Sequence, residues 1–357
     1  MSGTSDPDEQ AAEAGLLYVR DAEPGITRRR CGRGFSYRQA DGATLRDAKQ
    51  LTRIRALAIP PAWTDVWICP NARGHLQATG RDARGRKQYR YHPDWQKLRG
   101  EVRFVRLPEF ARALPRLRRR LRQDLKRRGL PRAKVLAIVV SLMMETLVRV
   151  GNETYARENR SYGLTTLRNR HLQQLRGGRV RLRFRGKARL LHEVAIDDPR
   201  LARMVRTCQQ LPGQQLFQYR DAAGRVRPLD SGDVNDYLHA VMGGDFTAKD
   251  FRTWGATLHA FRCLAAVPVP VPVPDDEGNE SGCEKAMAVV RNEVIGEVAQ
   301  ALRNTPAVCR SAYIDPIVFA GWEDGRLARA AANARGARQW EQAAYRFLRR
   351  AHRPASK

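Results

Sequence analysis

Residues 179–192 read Arg-Val-Arg-Leu-Arg-Phe-Arg-Gly-Lys-Ala-Arg-Leu-Leu-His. Val180, Leu182 and Phe184 alternate with arginines at a period of two, the pattern of a strand with one face in a core. Gly186-Lys187 marks a turn, so the stretch predicts a β-hairpin with Lys187 at a tip where it can reach outward. The text on either side has helical periodicity. That contrast sets the class as α+β, with one hairpin inside a mainly α-helical domain.

Upstream, the apolar run Val135 to Met144 is broken by Ser141 and ended by Glu145, so it predicts a buried helix rather than a membrane span. Its expected end is Arg149-Val150-Gly151, with Gly151 as C-cap, which brings Arg149 out into a cleft. Phe110, Leu114, Leu117, Leu121 and Leu125 recur at three and four residues, an amphipathic helix whose other face is arginine-rich. Pro108 places a domain boundary at 106–108. Residues 1–12 are small, polar and acidic, and are expected to be a disordered tail. Between them, residues 13–106 read as a small β-rich domain of short strands and glycine turns, with one helix from Asp47 to Ala58 stopped by Pro60-Pro61. Within it, Arg84, Arg86, Gln88, Tyr89 and Tyr91 alternate hydroxyls with positive charge, which suits contact with phosphates. A solvated edge strand is the other reading.

Downstream, residues 197–242 read as helical and Lys249 to Gly255 opens another helix. Val267 to Pro274 alternates valine with proline and predicts an exposed polyproline-like connector. A helix from Glu284 to Leu302 leads to Asn304-Thr-Pro-Ala-Val-Cys-Arg-Ser-Ala-Tyr-Ile-Asp-Pro316. Thr305-Pro306 starts a short helix there and Asp315-Pro316 ends it, with Val308 and Ala312 facing the core and Tyr313 near its end. The last forty residues predict one or two basic helices.

The 357 residues carry 65 Lys+Arg against 37 Asp+Glu, a net charge of +28. Such an excess is the footprint of a nucleic-acid binder, with an anionic membrane surface as the competing partner. No apolar segment is long enough to span a bilayer, and the N-terminus lacks an apolar signal segment. A cytoplasmic, nucleoid-associated monomer is the expectation. The six cysteines form no CxxC, and no HExxH, GxxxxGK[ST] or GxGxxG occurs. No metal, nucleotide or other cofactor is therefore expected.

A tyrosine that attacks a phosphodiester needs three kinds of help. Its hydroxyl, with a pKa near 10, must be activated. Charge on the nonbridging oxygens is best met by fixed guanidiniums and a neutral donor. The leaving 5′-oxygen needs a general acid. Arg149, Lys187, Arg252, Asn304 and Tyr313 supply that set without metal or nucleotide.

At these positions the chain resembles type IB DNA topoisomerases, closest to the small poxviral and bacterial members. Arg149 in RVGNETY, followed by YGLTTLRNRHL at 162–172, looks like their first catalytic arginine and the segment after it. Phe184-x-Gly186-Lys187 with His192 five residues on matches their hairpin lysine, and Lys249-x-x-Arg252 matches their K-x-x-R. Asn304, nine residues before Tyr313, stands where the family carries histidine or asparagine; an asparagine donates to an oxygen but relays no proton. Gln88-Tyr89-Arg90-Tyr91 resembles the phosphate-contacting Q-Y-x-Y. The resemblance implies a clamp on duplex DNA, with residues 107–357 as the tyrosine transesterase, and supercoil relaxation through a 3′-phosphotyrosyl intermediate. Tyrosine recombinases use the same set but typically carry H-x-x-R at the second arginine. A noncatalytic basic DNA-binding protein would need none of it.

Overall fold

The computed structural model describes residues 7–32, 34–83, 85, 87–270 and 281–353. The chain divides into two compact units, Met1–Arg103 and Phe104–Lys357.

The first unit opens with helix α1 (Pro7–Glu13), inside the tail expected to be disordered. Strands β1 (Ile26–Cys31) and β2 (Gly34–Arg38), helix α2 (Ala48–Ala56), and strands β3 (Thr64–Ile68), β4 (Leu76–Arg81) and β5 (Lys87–Tyr91) follow. The five strands form an antiparallel sheet in the order β2-β1-β3-β4-β5. Asp47 caps α2 by accepting from the amides of Lys49 and Gln50, and Ile54 from α2 joins Ile26, Val66, Ile68 and Ala78 in the core. A further helix, α3 (Pro93–Val105), replaces the turns expected there; it buries Trp95 against Ala11 and Leu16.

The second unit is mainly helical. Helix α4 (Leu107–Leu125) buries Leu107, Phe110, Leu114, Leu117 and Leu121, as the spacing predicts. Its Asp124 is fully buried, accepting from Arg120, Arg127 and the Tyr237 hydroxyl at 2.6, 2.7 and 3.0 Å. Helix α5 (Arg132–Thr146) is apolar nearly all round, and it packs against neighbours on every side. After α6 (Glu153–Asn159), strands β6 (Leu172–Gln174), β7 (Val180–Arg185) and β8 (Leu191–Ile196) form one antiparallel sheet. The hairpin expected from residues 179–192 is β7–β8, with Phe184 opposite His192, and Val180, Leu182 and Phe184 point inward. It differs in two ways: β6 adds a third strand, and the connection runs over five residues, Gly186 to Leu190, with Ala188 and Arg189 at positive φ.

Next come α7 (Pro199–Cys208), the ribbon β9 (Gln218–Arg220) and β10 (Val226–Pro228), and α8 (Ser231–Met242). The ribbon lies where helix was expected throughout, because Asp221 accepts from the amides of Ala223 and Arg225 and tightens a turn. Helices α9 (Ala248–Ala265), α10 (Ser281–Leu302), α11 (Pro306–Ala312), α12 (Ile317–Glu323), α13 (Arg326–Ala331) and α14 (Ala337–Ala351) complete the unit. Of the valine–proline stretch, residues 271–274 lie outside the described residues; Val267 and Val269 are half-buried against the core, and the Val267 carbonyl accepts from the Trp322 indole at 2.9 Å.

Candidate active site

Arg149 sits three residues beyond the end of α5, not on its last turn. The helix stops at Leu147, which takes a left-handed conformation (φ 53°) as C-cap, so Gly151 is no cap. Gly151, at φ 107°, serves a different purpose. A Cβ on Gly163 would lie 2.5 Å from the Gly151 Cα, so the two glycines let their backbones cross in contact. The crossing strand then pins the arginine: the amides of Leu164 and Thr165 donate to the carbonyls of Arg149 and Val150 at 2.9 and 2.7 Å. That is the physical content of the Tyr162-Gly-Leu-Thr-Thr motif.

Arg252, in the first turns of α9, is only 3% exposed. Its guanidinium donates to the carbonyl of Leu147, the C-cap of α5, and at 3.0 Å to that of Leu302, the last residue of α10. Two helix C-termini, each with unsatisfied carbonyls and a negative dipole end, thus compensate one buried cation. Burial and then the like charge of Arg149 hold its pKa below the ordinary arginine value, with Tyr313 opposing.

Beyond Leu302 the chain reverses through Arg303 at φ 51°, and the Asn304 amide returns to the Ala299 carbonyl at 2.9 Å. This turn aims the Asn304 side chain at Arg149, which donates to its Oδ1 at 2.6 Å. The Asn304 side-chain nitrogen is buried and meets the distance and angle of a hydrogen bond with no partner among the described residues, with the Cys309 sulfur near it.

Tyr313 is the C-cap of α11 rather than a residue within it. Thr305 caps the other end, as the Thr-Pro pair predicts. The inward face is Cys309, fully buried, with Ala312; Val308 is 42% exposed and faces out, contrary to the expected pairing of Val308 with Ala312. Thr257 of α9 fixes the tyrosine's backbone, donating to the Tyr313 carbonyl and accepting from the Asp315 amide, both at 3.1 Å. The Tyr313 ring is 9% exposed, with the Arg252 guanidinium carbon 5.1 Å from its centroid. Burial pushes the phenol up. The charge and hydrogen bond of Arg252, then Arg149 and Lys249, outweigh it, and the hydroxyl rests below the ordinary tyrosine value.

The structure therefore brings Arg149, Arg252, Asn304 and Tyr313 together, and adds the charge of exposed Lys249, the first residue of the K-x-x-R motif. Lys187 is set apart. It lies exposed at the hairpin tip, where its carbonyl accepts from the Leu190 amide at 3.4 Å and its side chain makes no hydrogen bond or ion pair among the described residues. Just below that tip, β8 does reach the group through the charges that act on His192, which is 3% exposed and stacked on Phe184 at 4.9 Å. Burial, then the charges of Arg149, Arg303 and Arg252, lower the His192 pKa to about 4, so it is neutral. Its Nε2 has no hydrogen-bond partner among the described residues and faces Gly186, where a Cβ would come within 2.4 Å.

In the first unit, Tyr89 and Tyr91 stand exposed on one side of β5 and stack at 5.9 Å, while Gln88 on the alternate side donates to Asp82 at 3.0 Å. Arg84 and Arg86 lie outside the described residues. Sequence reasoning missed Thr257 and Arg303, whose roles come from backbone geometry that leaves no motif.

The profile of the eukaryotic DNA topoisomerase I catalytic core matches residues 89–315, and that of the bacterial DNA topoisomerase IB N-terminal domain matches residues 34–82. The chain is similar to the DNA topoisomerase 1B of Acanthamoeba polyphaga mimivirus, at 31% identity over 294 residues, covering 81% of this chain and 85% of that protein. It is also similar to the DNA topoisomerase 1B of vaccinia virus (strain Copenhagen), at 23% over 277 residues, 73% of this chain and 78% of the relative. The DNA topoisomerase I of monkeypox virus matches at 23% over 273 residues, with the same coverage.

Proposed function

This chain belongs to the type IB DNA topoisomerases, and from that premise we propose that Tyr313 attacks a backbone phosphorus of duplex DNA, forming a 3′-phosphotyrosyl bond and releasing a 5′-hydroxyl strand. The enzyme is an isomerase; the proposal concerns how these residues do the work. The observation that carries it is the buried Arg252 guanidinium against the Tyr313 ring, with Arg149 and Asn304 bonded to each other beside them.

As the tyrosine oxygen bonds to phosphorus, the P–O5′ bond breaks. Arg149, Arg252 and the Asn304 amide meet the charge on the nonbridging oxygens. Cations around the phenol favour loss of its proton, and Lys187 gives a proton to the leaving 5′-oxygen. That role requires the five-residue hairpin tip to bend over the scissile phosphate once DNA is bound. The cleaved strand rotates, torsional strain is released, and the 5′-hydroxyl reverses the reaction. The phosphotyrosyl bond conserves the phosphodiester's energy, so the steps call for neither ATP nor metal.

We assign residues 13–106 to DNA binding and 107–357 to transesterification, the two closing as a monomeric clamp on the duplex. Arg84, Arg86, Gln88, Tyr89, Tyr91 and Lys249 contact its phosphates. Relaxation of a supercoiled plasmid in EDTA without ATP tests the reading, paired with Tyr313→Phe. The wild type should relax the plasmid. The variant should bind duplex DNA but leave no covalent adduct on denaturing gels. An adduct that survives in Tyr313→Phe would sink the assignment.

A further inference from the structure

Further along α9 from Arg252, three side chains with metal-binding atoms converge. His259 and Cys263 stand four residues apart, one helical turn, so they share a face of α9. Glu297 meets them from α10. The Glu297 Oε2 lies 3.2 Å from the Cys263 sulfur and 3.8 Å from the His259 Nε2, and all three donor atoms fall within 4.8 Å of one another. We propose that His259, Cys263 and Glu297 form a zinc-binding site that fastens α9 to α10.

The separations to Glu297 lie close to what a zinc ion requires. A tetrahedral zinc ion, at about 2.3 Å from sulfur and about 2.0 Å from nitrogen or oxygen, holds adjacent donors roughly 3.3–3.5 Å apart. The two observed separations to Glu297, 3.2 and 3.8 Å, bracket that spacing. A thiolate with an imidazole selects zinc over magnesium or calcium, which prefer oxygen cages. The side chains are half-buried to exposed, so solvent can supply the fourth ligand. Cys263 now donates its proton to Glu297, and burial with that bond raises the thiol to about 12. Zinc binding therefore displaces one proton from the pair. Searches for CxxC or HExxH miss the site because Glu297 comes 34 residues after Cys263, on another helix.

His259 follows Arg252 by two helical turns, about 10 Å along the axis, so the ion is remote from the reacting phosphate. Its effect is mechanical. Helix α9 carries Arg252, and α10 ends on the Leu302 carbonyl that Arg252 binds, just before Asn304. A metal joining the two helices would hold that arrangement together.

Titration of the full-length protein with Co²⁺, as a coloured stand-in for zinc, tests this. The expected result is a thiolate-to-cobalt charge-transfer band that saturates at one equivalent and is displaced by Zn²⁺. Zinc should also raise the melting temperature. Cys263→Ser should abolish the band, and His259→Asn or Glu297→Gln should each weaken binding on the order of tenfold or more. Cys31→Ser and Cys283→Ser should leave it unchanged. No thiolate band at one equivalent, or a band that persists in Cys263→Ser, would overturn the site. If Cys263→Ser does not fold, undiminished cobalt affinity in both His259→Asn and Glu297→Gln is equally decisive against it.

Discussion

The wall that carries Arg252 and the hairpin tip that carries Lys187 hold their charges in opposite ways. Arg252 is buried and fastened to two helix ends, so its charge is fixed before any substrate arrives. Lys187 is exposed on a five-residue loop, its ammonium with no partner among the described residues. A group that stabilises charge gains from being immobile, because no reorganisation is needed as the transition state forms. A proton donor needs only to arrive at the leaving atom, and water around it in the free protein does no harm.

The largest expected effect separates the two by substituting each. Lys187→Ala should slow cleavage of ordinary DNA by roughly 10²–10⁴, the range of general acid catalysis, and leave the melting temperature unchanged. On DNA with sulfur at the bridging 5′ position, whose thiolate leaves without an acid, the same variant should cleave nearly as fast as the parent. Arg252→Ala should gain far less from sulfur. It should also lose stability, because the buried Leu302 carbonyl loses its donor at about 1–3 kcal/mol and the half-buried Leu147 carbonyl loses its own. If Lys187→Ala stays equally slow on both substrates, the lysine acts through charge rather than as an acid.

A smaller effect concerns His192, which joins the hairpin to the arginine wall. Its folded pKa of about 4 lies below the ordinary histidine value of 6.5. Above pH 6.5 both folded and unfolded forms are neutral and the stability is full. As pH falls toward 4, the unfolded chain binds the proton first and stability drops. The loss from this group should reach about 2–3 kcal/mol at pH 4.5. Urea unfolding at pH 7 and pH 4.5 measures it, and His192→Gln should show a correspondingly shallower fall. An equal fall in both proteins would mean that other groups set the acid sensitivity.

The smallest effect tests the exposed extreme of the comparison, in the first unit. Tyr89→Phe and Tyr91→Phe remove only hydroxyls from exposed rings, so folding should be untouched. If the hydroxyls contact phosphates, each variant should lose about 0.5–1.5 kcal/mol of DNA affinity, several-fold in Kd, without a change in the rate of bound-complex cleavage. Fluorescence anisotropy with labelled duplex and single-turnover cleavage distinguish these. Unchanged affinity in both variants would return β5 to the role of a solvated edge strand.

Much of this protein was legible in the order of its residues. The period-two arginines of 180–185 named a strand, the leucine spacing of α4 named a helix, and Thr305-Pro306 named a cap, because each signal acts over one turn or one pleat. The candidate catalytic set was named from residue types that answer to the chemistry and from short motifs that resemble a family, and the fold gathers Arg149, Arg252, Asn304 and Tyr313. What the sequence could not settle depended on distant partners. Only packing against α9 explains why α5 stops at Leu147: the Leu147 side chain fills the space a Cβ on Gly255 would need, and its carbonyl takes Arg252. The facing of α11, with Cys309 inward and Val308 outward, follows from its docking on the core rather than from its spacing. The three-residue strands β6, β9 and β10 are too short to show a period, so their partners alone make them strands. Periodicity reports a local choice of backbone. Which buried cation meets which helix end is decided only when residues more than a hundred positions apart share one core.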